Sequence, residues 1–320
     1  MKTLSNKLIL ACAMAVCSTS ALAAYPDRPI TLVHGFGAGG NADSVARVMA
    51  SELEKRLGQP VVVESRTGAG GTIASSYVAK ATPDGYTLVM LTGGHTASAA
   101  MRKSLPYDPV ADFAPISTVT TFPFVIAVRA ENPAKNLADL VEKARSKDDA
   151  VTFSSVGVGS TQHLTGELLA SAAKAKMLHV PYRGGGAPVM SVIAGEVDVL
   201  VDTATVAGPQ IQAGKLRALA VTSPTGWAQL PNTPAAAQTL PGFEVMSWLG
   251  LAAPAKTSPA IIEKLNATLG EIAQDPAVQK TLQGMGSEPA HITPAQMRDM
   301  IASDVKRWKQ VVQAAAIPLQ

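Results

Sequence analysis

The sequence predicts an α/β protein of two domains, with a ligand cleft between them and two hinge crossings. Three observations support this. Short apolar strands alternate with helical stretches in two separate β-α-β runs. Strand-like segments with no helix between them follow each run and read as crossings between domains. The length, 320 residues of which 47% are apolar, suits one large or two medium α/β domains with a real core.

In chain order, Ile30 to Val33 is an apolar strand. Asp43 to Leu57 is a helix, with Val45, Val48, Met49, Leu53 and Leu57 near helical spacing. Pro60 to Glu64 is a second strand. After the turn Thr67-Gly68-Ala69-Gly70-Gly71, Ile73 to Lys80 is helical and Tyr86 to Leu91 is a third strand. This order implies a parallel sheet with helices on both faces. Phe113 to Thr120 and Phe124 to Val128, broken at Pro123, form the first crossing. The second run places helices at Leu137 to Arg145, Thr161 to Ala173 and Val189 to Ala194. Its strands are Val151 to Ser155, Leu178 to Val180, Val197 to Val201 and Leu216 to Val221. Phe243 to Ala252, after the Pro-rich stretch Pro231 to Pro241, is the return crossing. The end is helical over Pro259 to Ala273, Pro276 to Gln283 and Pro294 to Ala315, each opening with Pro in its first turn. The expected division is domain 1 over 24–121 plus 245–320 and domain 2 over 122–244.

The N-terminus carries an export signal over 1–23. Lys2 and Lys7 are its charged region, Leu8 to Val16 its apolar run, and Ala21-Leu22-Ala23 its small-residue cleavage site. The apolar run is too short to span a bilayer, so the mature chain is expected in a bacterial periplasm. Cys12 and Cys17 both fall inside this segment, which leaves the mature chain without a disulfide, a thiolate metal site or a cysteine nucleophile. Removing Lys2 and Lys7 from 27 basic residues leaves 25 against 24 acidic ones. No basic excess points to nucleic acid.

The stretch HGFGAGGNAD, His34 to Asp43, is open to three readings. Gly35, Gly37 and Gly40 have dinucleotide-binding spacing after a strand and before a helix, with Glu64 at the end of the next strand. The periplasm, however, holds no pool of reduced nicotinamide. HGFG also resembles a hydrolase oxyanion loop, but no G-x-S-x-G nucleophile elbow occurs. The third reading is an anion cradle, in which backbone amides at a helix start hold a carboxylate without a basic side chain. Gly-rich turns recur in TGAGG, LTGGHT, SSVGVGST and YRGGG, which favours the cradle, above all for GFGAGG and GVGST. Nothing assembles a catalytic constellation, and no enzyme is expected. The five histidines have no metal-ligand spacing, and neither metal nor cofactor is expected.

YPDRPITLV, the run GAGGNADSVARVMASELEKRLGQPVVVESRTGAGGTIASSYVAKATPDGYTL, VGSTQHLTGELL and HVPYRGGGAPVMSVIAGEVDVLVD together resemble the solute-binding receptors of tripartite tricarboxylate transporters, of the Bug (Bordetella uptake gene) type. The resemblance covers essentially the whole mature chain. It implies a periplasmic binding protein of the Venus-flytrap kind that captures a small organic acid for membrane transporter subunits, with no nucleic-acid partner, as a monomer. An amino acid or an aromatic acid, used in sensing, is the alternative ligand.

In the family the carboxylate sits between two loops and is held by amides, hydroxyls and water. Residue by residue, Gly39, Gly40, Asp43 and Arg47 match the first loop, while His34-Gly35 and Asn41-Ala42 depart from it. GSTQH supplies Ser160, Thr161, Gln162 and His163; GGHT supplies Gly93 and His95; Asp202 follows the Val-Asp strand, with Val201 in place of the family's Phe. The expected ligand-binding set is therefore Phe36, Gly37, Gly39, Gly40, Asn41, Ala42, Gly93, His95, Ser160, Thr161, Gln162, His163, Arg183 and Asp202. Several of these have structural readings too. Asp43 is read as a helix cap and loop fixer. His95 and His163 stand between ligand contact and structural hydrogen bonds. Arg183 stands between a carboxylate clamp and a solvated side chain. Asp202 is expected to order the loop, bind a water, or meet a ligand amine or hydroxyl.

Overall fold

The computed structural model describes residues 25–146 and 151–320; the export-signal readings lie outside the described residues. Ten strands form one continuous, curled sheet that serves two lobes. In the first lobe β1 (Ile30–His34) lies between β2 (Val61–Ser65) and β3 (Thr87–Thr92), all parallel. Around them stand α1 (Asn41–Leu57), α2 (Thr72–Ala79) and α3 (Gly93–Met101). Ile30 and Leu32 point into one core and Val33 into another. Both faces of β1 are covered, which is why it reads as an unbroken apolar run.

The crossing β4 (Phe113–Arg129) is a single strand of 17 residues. Pro123 does not break it, contrary to expectation. Phe113 to Pro123 pair antiparallel with β9 (Met246–Pro254), and Phe124 onward pairs with the second lobe's strands. Pro123 falls where one ladder ends and the next begins, so its missing N–H costs no central ladder bond. From Phe124 the strand alternates between two cores, with Phe124, Ile126 and Val128 on one side and Val125 and Ala127 on the other.

The second lobe repeats the plan. β5 (Val151–Ser155) lies between β6 (Met177–Pro181) and β7 (Val199–Thr203), all parallel, and β8 (Leu216–Val221) also joins β4. Its helices are α4 (Leu137–Ser146), α5 (Thr161–Ala173), α6 (Ala187–Ile193) and α7 (Ala204–Gln212). β9 returns the chain to the first lobe, pairing antiparallel with β3 as well as β4. The crossings thus make the sheet mixed rather than parallel throughout. There α8 (Pro259–Gln274), α9 (Pro276–Gly284), the short β10 (Glu288–Pro289) and α10 (Pro294–Ala314) close the chain. α10 opens with a capping box between Thr293 and Gln296.

Two helices, α3 and α7, have no counterpart in the periodicity. GGHTASAAM is buried almost all round and therefore shows no amphipathic stripe. ATVAGPQIQ contains Gly208 and Pro209, which mask it in sequence.

Candidate functional site

The lobes meet at their loop ends. Gly37 and Gly184 form a parallel bridge, the Gly37 amide donating to the Arg183 carbonyl at 3.2 Å. Ser98 Oγ donates to the Gly159 carbonyl at 2.8 Å, and Arg102 Nη2 reaches the carbonyls of Ala69 (3.1 Å) and Val158 (3.2 Å). Thr205 Oγ1 lies 2.8 Å from Asn41 Oδ1 and 2.7 Å from the Met285 carbonyl. These contacts describe a closed arrangement.

Between the lobes lies a narrow cleft. Seven expected residues line it: Phe36, Gly40, Asn41, Ala42, Thr161, Gln162 and Asp202. Thr92, Phe122, Phe124, Val156, Gly185, Thr203, Val206, Ser247 and Leu249 complete the wall. Sequence reasoning missed these nine, although some signals were available. Thr203 follows Asp202, Thr92 precedes the GGHT loop, and Gly185 lies within YRGGG. Phe122, Phe124, Ser247 and Leu249 lie on β4 and β9, and strands that join two lobes must pass behind the cleft between them.

Four helices begin at this wall. α1 starts at Gly40 (φ −76°, ψ 168°), which as a glycine provides no side-chain cap. α5 starts at Ser160, whose Oγ accepts from the His163 amide. α3 starts at Thr92, whose Oγ1 accepts from the Gly94 amide at 3.0 Å. α7 starts at Thr203, whose side chain makes no cap bond. First-turn amides have no partner within their own helix and carry partial positive charge. No lining residue is Lys or Arg, and among the described residues Asp202 is the one acid that lines the cleft. The wall offers an anion neutral donors and helix dipoles.

Asp202 is 2% exposed. Its Oδ1 accepts from the Thr203 amide at 2.8 Å and from Gln162 Nε2 at 3.4 Å, while Oδ2 has no partner. Burial pushes its carboxyl up to about 6, against the pull of those two donors and of the neighbouring Thr203 hydroxyl.

Gly39, in the left-handed region at φ +76°, donates its amide to Asp43 Oδ2 at 2.9 Å. Arg47 Nη2 meets Asp43 Oδ1 at 2.9 Å, so Asp43 anchors the first loop. Burial raises the Asp43 carboxyl, but the bonds from Arg47 and Gly39 outweigh it and hold the group below its usual range. His34 Nε2 lies 3.2 Å from Asp43 Oδ1 without hydrogen-bond geometry. A Cβ on Gly93 would lie 2.5 Å from Ser247 Oγ and 3.0 Å from Thr161 Oγ1, so glycine here lets the start of α3 approach both β9 and the start of α5.

His95 does not line the cleft. It stacks on Tyr107 at 5.5 Å and donates from Nε2 to the Pro109 carbonyl at 2.8 Å. Burial lowers it to about 4, so it is neutral. His163 also packs away from the cleft, stacked on His179 with centroids 3.8 Å apart, while its Nδ1 accepts from the Gly159 amide at 3.2 Å. It holds the turn that leads into α5. Arg183 projects an exposed side chain, and only its carbonyl meets the other lobe.

The family model described as "Tripartite tricarboxylate transporter family receptor" matches residues 45–317. A protein of the tcbD-tcbE intergenic region of Pseudomonas sp. (strain P51) is 37% identical over 307 residues, covering 95% of this chain and 91% of its own. BugT of Bordetella pertussis (strain Tohama I) is 33% identical over 299 residues, covering 92% of each chain. Among solved structures, the periplasmic binding protein BugD superposes with a TM-score of 0.88 at 34% identity, covering 92% of this chain and all of that one (100%). R. palustris Rpa4515 with adipate gives 0.89 at 32% identity, covering 92% and 99%. MatC from Rhodopseudomonas palustris with bound malate gives 0.86 at 33%, covering 90% and 100%. The chain belongs to the tripartite tricarboxylate transporter receptor family, as a Bug-type solute-binding protein and not an enzyme.

Proposed function

We propose that this receptor captures a small mono-, di- or tricarboxylate in the periplasm and presents it to membrane subunits of a tripartite transporter. The observation that carries the reading is the convergence of four helix starts on a cleft lined by no basic side chain. Such a wall stabilises a carboxylate through amides and dipoles and leaves it free to depart when the lobes part. The carboxylates held by Rpa4515 and MatC support the same class.

In this reading residues 1–23 are removed on export, and the hinge lies at the two crossings. The units that move are 24–121 plus 245–320 and 122–244. The amides of Gly39, Gly40 and Ser160 are held within their own loops, by Asp43 Oδ2 and the carbonyls of Gly37 and Gly157, so the amides of Asn41 and Ala42 and of Thr161 and Gln162 take the carboxylate from opposite sides, which couples binding to closure. Among the described residues no helix is long and apolar enough to cross a membrane, in keeping with a receptor that docks on separate membrane subunits.

A thermal-shift screen of the mature chain against organic acids and neutral sugars tests the class. A ligand at a hundred times its dissociation constant adds about 2.7 kcal/mol of stability. Acids are expected to raise the melting temperature and sugars to leave it unchanged. Stabilisation by sugars alone would overturn the reading.

A further inference from the structure

Three polar atoms in the cleft wall are buried and have no hydrogen-bond partner: Asn41 Nδ2, Asp202 Oδ2 and Thr203 Oγ1. Their residues are 8%, 2% and 2% exposed. Buried polar atoms are paired in the great majority of cases, and each unpaired one is costly. Three in one wall, on both lobes, describe the groups a ligand must bring.

The three atoms ask for different things. Asn41 Nδ2 only donates, and suits a carboxylate oxygen beside the α1 amides. Asp202 Oδ2, when ionised, only accepts, and it repels a carboxylate. Thr203 Oγ1 does either. Asp202 cannot turn to relieve itself, because the Thr203 amide and Gln162 Nε2 hold Oδ1. A ligand made of carboxylates and methylenes would satisfy Asn41 and leave Asp202 Oδ2 bare.

From these atoms we infer that the cleft selects hydroxy acids, the ligand hydroxyl donating to Asp202 Oδ2 and accepting from Thr203 Oγ1. The inference rests on the carboxylate reading above and narrows it. An ammonium group would also donate to Asp202. It would, however, bring a full positive charge among four helix starts that already carry partial positive charge. It would also bring three donors to a wall whose unpaired acceptors are Asp202 Oδ2 and Thr203 Oγ1. A hydroxyl matches the two neighbouring atoms one for one. The apolar side chains of Phe122, Phe124, Val206 and Leu249 are left for the carbon skeleton.

Calorimetric titration of the mature chain with acids differing by one hydroxyl tests this: propionate with lactate, succinate with malate, tricarballylate with citrate. Aspartate serves as the ammonium counterpart of malate. In the pair that binds, the hydroxy acid is expected to bind on the order of tenfold tighter or more, since its absence leaves a buried acceptor unpaired. Asp202→Asn places a donor where the parent has an acceptor. It should pull the ratio toward one while the deoxy acid binds as well as before or better. Thr203→Val should weaken the hydroxy acid alone, and melting curves check that both variants fold. Equal affinity within every binding pair, or an equal loss for both members in Asp202→Asn, would overturn the inference and leave the carboxylate reading standing. Aspartate binding more tightly than malate would overturn it in favour of an ammonium ligand. Failure of every acid to bind would overturn the carboxylate reading and this inference with it.

Discussion

Gly37→Ala places one methyl group where only the closed receptor has no room for it. A Cβ on Gly37 would lie 3.0 Å from Gly184 C and Gly185 N and 3.2 Å from Gly184 O, all backbone of the opposite lobe. Backbone cannot swing aside as a side-chain tip can. The lobes must stay a few tenths of an ångström apart, which stretches the 3.2 Å bond from the Gly37 amide to the Arg183 carbonyl. Overpacking of this kind costs about 1–3 kcal/mol. The cost falls on the closed state alone, so it appears in full as lost affinity, roughly 5-fold to more than 100-fold. Ligand-free stability should be unchanged. Gly186→Ala is the control, because a Cβ there meets nothing within 4 Å. Titration calorimetry with the best acid from the screen, beside melting curves without ligand, reads both quantities. If Gly37→Ala bound within twofold of the parent, closure through the Gly37–Gly184 bridge would play no part in binding.

Further outcomes follow from the same contacts. Folding raises the Asp202 carboxyl from 3.8 to about 6, so its contribution to stability is fully present below about pH 4 and is lost as pH rises through about 6. That shift corresponds to about 3 kcal/mol, so ligand-free Asp202→Asn should melt higher than the parent at pH 7.5 and level with it at pH 4; equal melting at both would contradict the burial argument. Arg183→Ala should bind nearly as the parent does, because the Arg183 side chain is exposed and its carbonyl makes the contact. Gly40→Val should abolish measurable binding, its side chain standing at the α1 amides against Gly185. Calorimetry giving the reverse order for that pair would remove the backbone cradle. Thr161→Ala should weaken binding by roughly 1 kcal/mol, the scale of one hydroxyl hydrogen bond, and an unchanged affinity would take Thr161 out of the site.

The two-lobed α/β plan was legible because β1, β3 and β7 carry short apolar runs and α1, between β1 and β2, has ordinary helical spacing. Regions that failed to read did so for physical reasons. α3 is buried on every side and has no polar stripe to set its period. α7 carries Pro209 within it. Pro123 sits inside β4 only because two ladders meet there, which is a tertiary fact. At the cleft, the glycine-rich stretches before helices were visible in sequence as Gly40 and Ser160. The two histidines beside such loops were ambiguous, because a neutral imidazole stacked on Tyr107 or on His179 looks in sequence like one facing a ligand. The apolar wall formed by Phe122, Phe124 and Leu249 was hidden because the residues come from both crossings, more than a hundred positions apart in the chain.

The carboxylate cradle is read directly in a structure of residues 25–320 with the tightest-binding acid. The expected structure has lobes closed at the Gly37–Gly184 bridge, with carboxylate oxygens within hydrogen-bond distance of the Asn41 and Ala42 amides on one side and the Thr161 and Gln162 amides on the other. A carboxylate seated instead on the Arg183 guanidinium, with those amides turned to water, would contradict it.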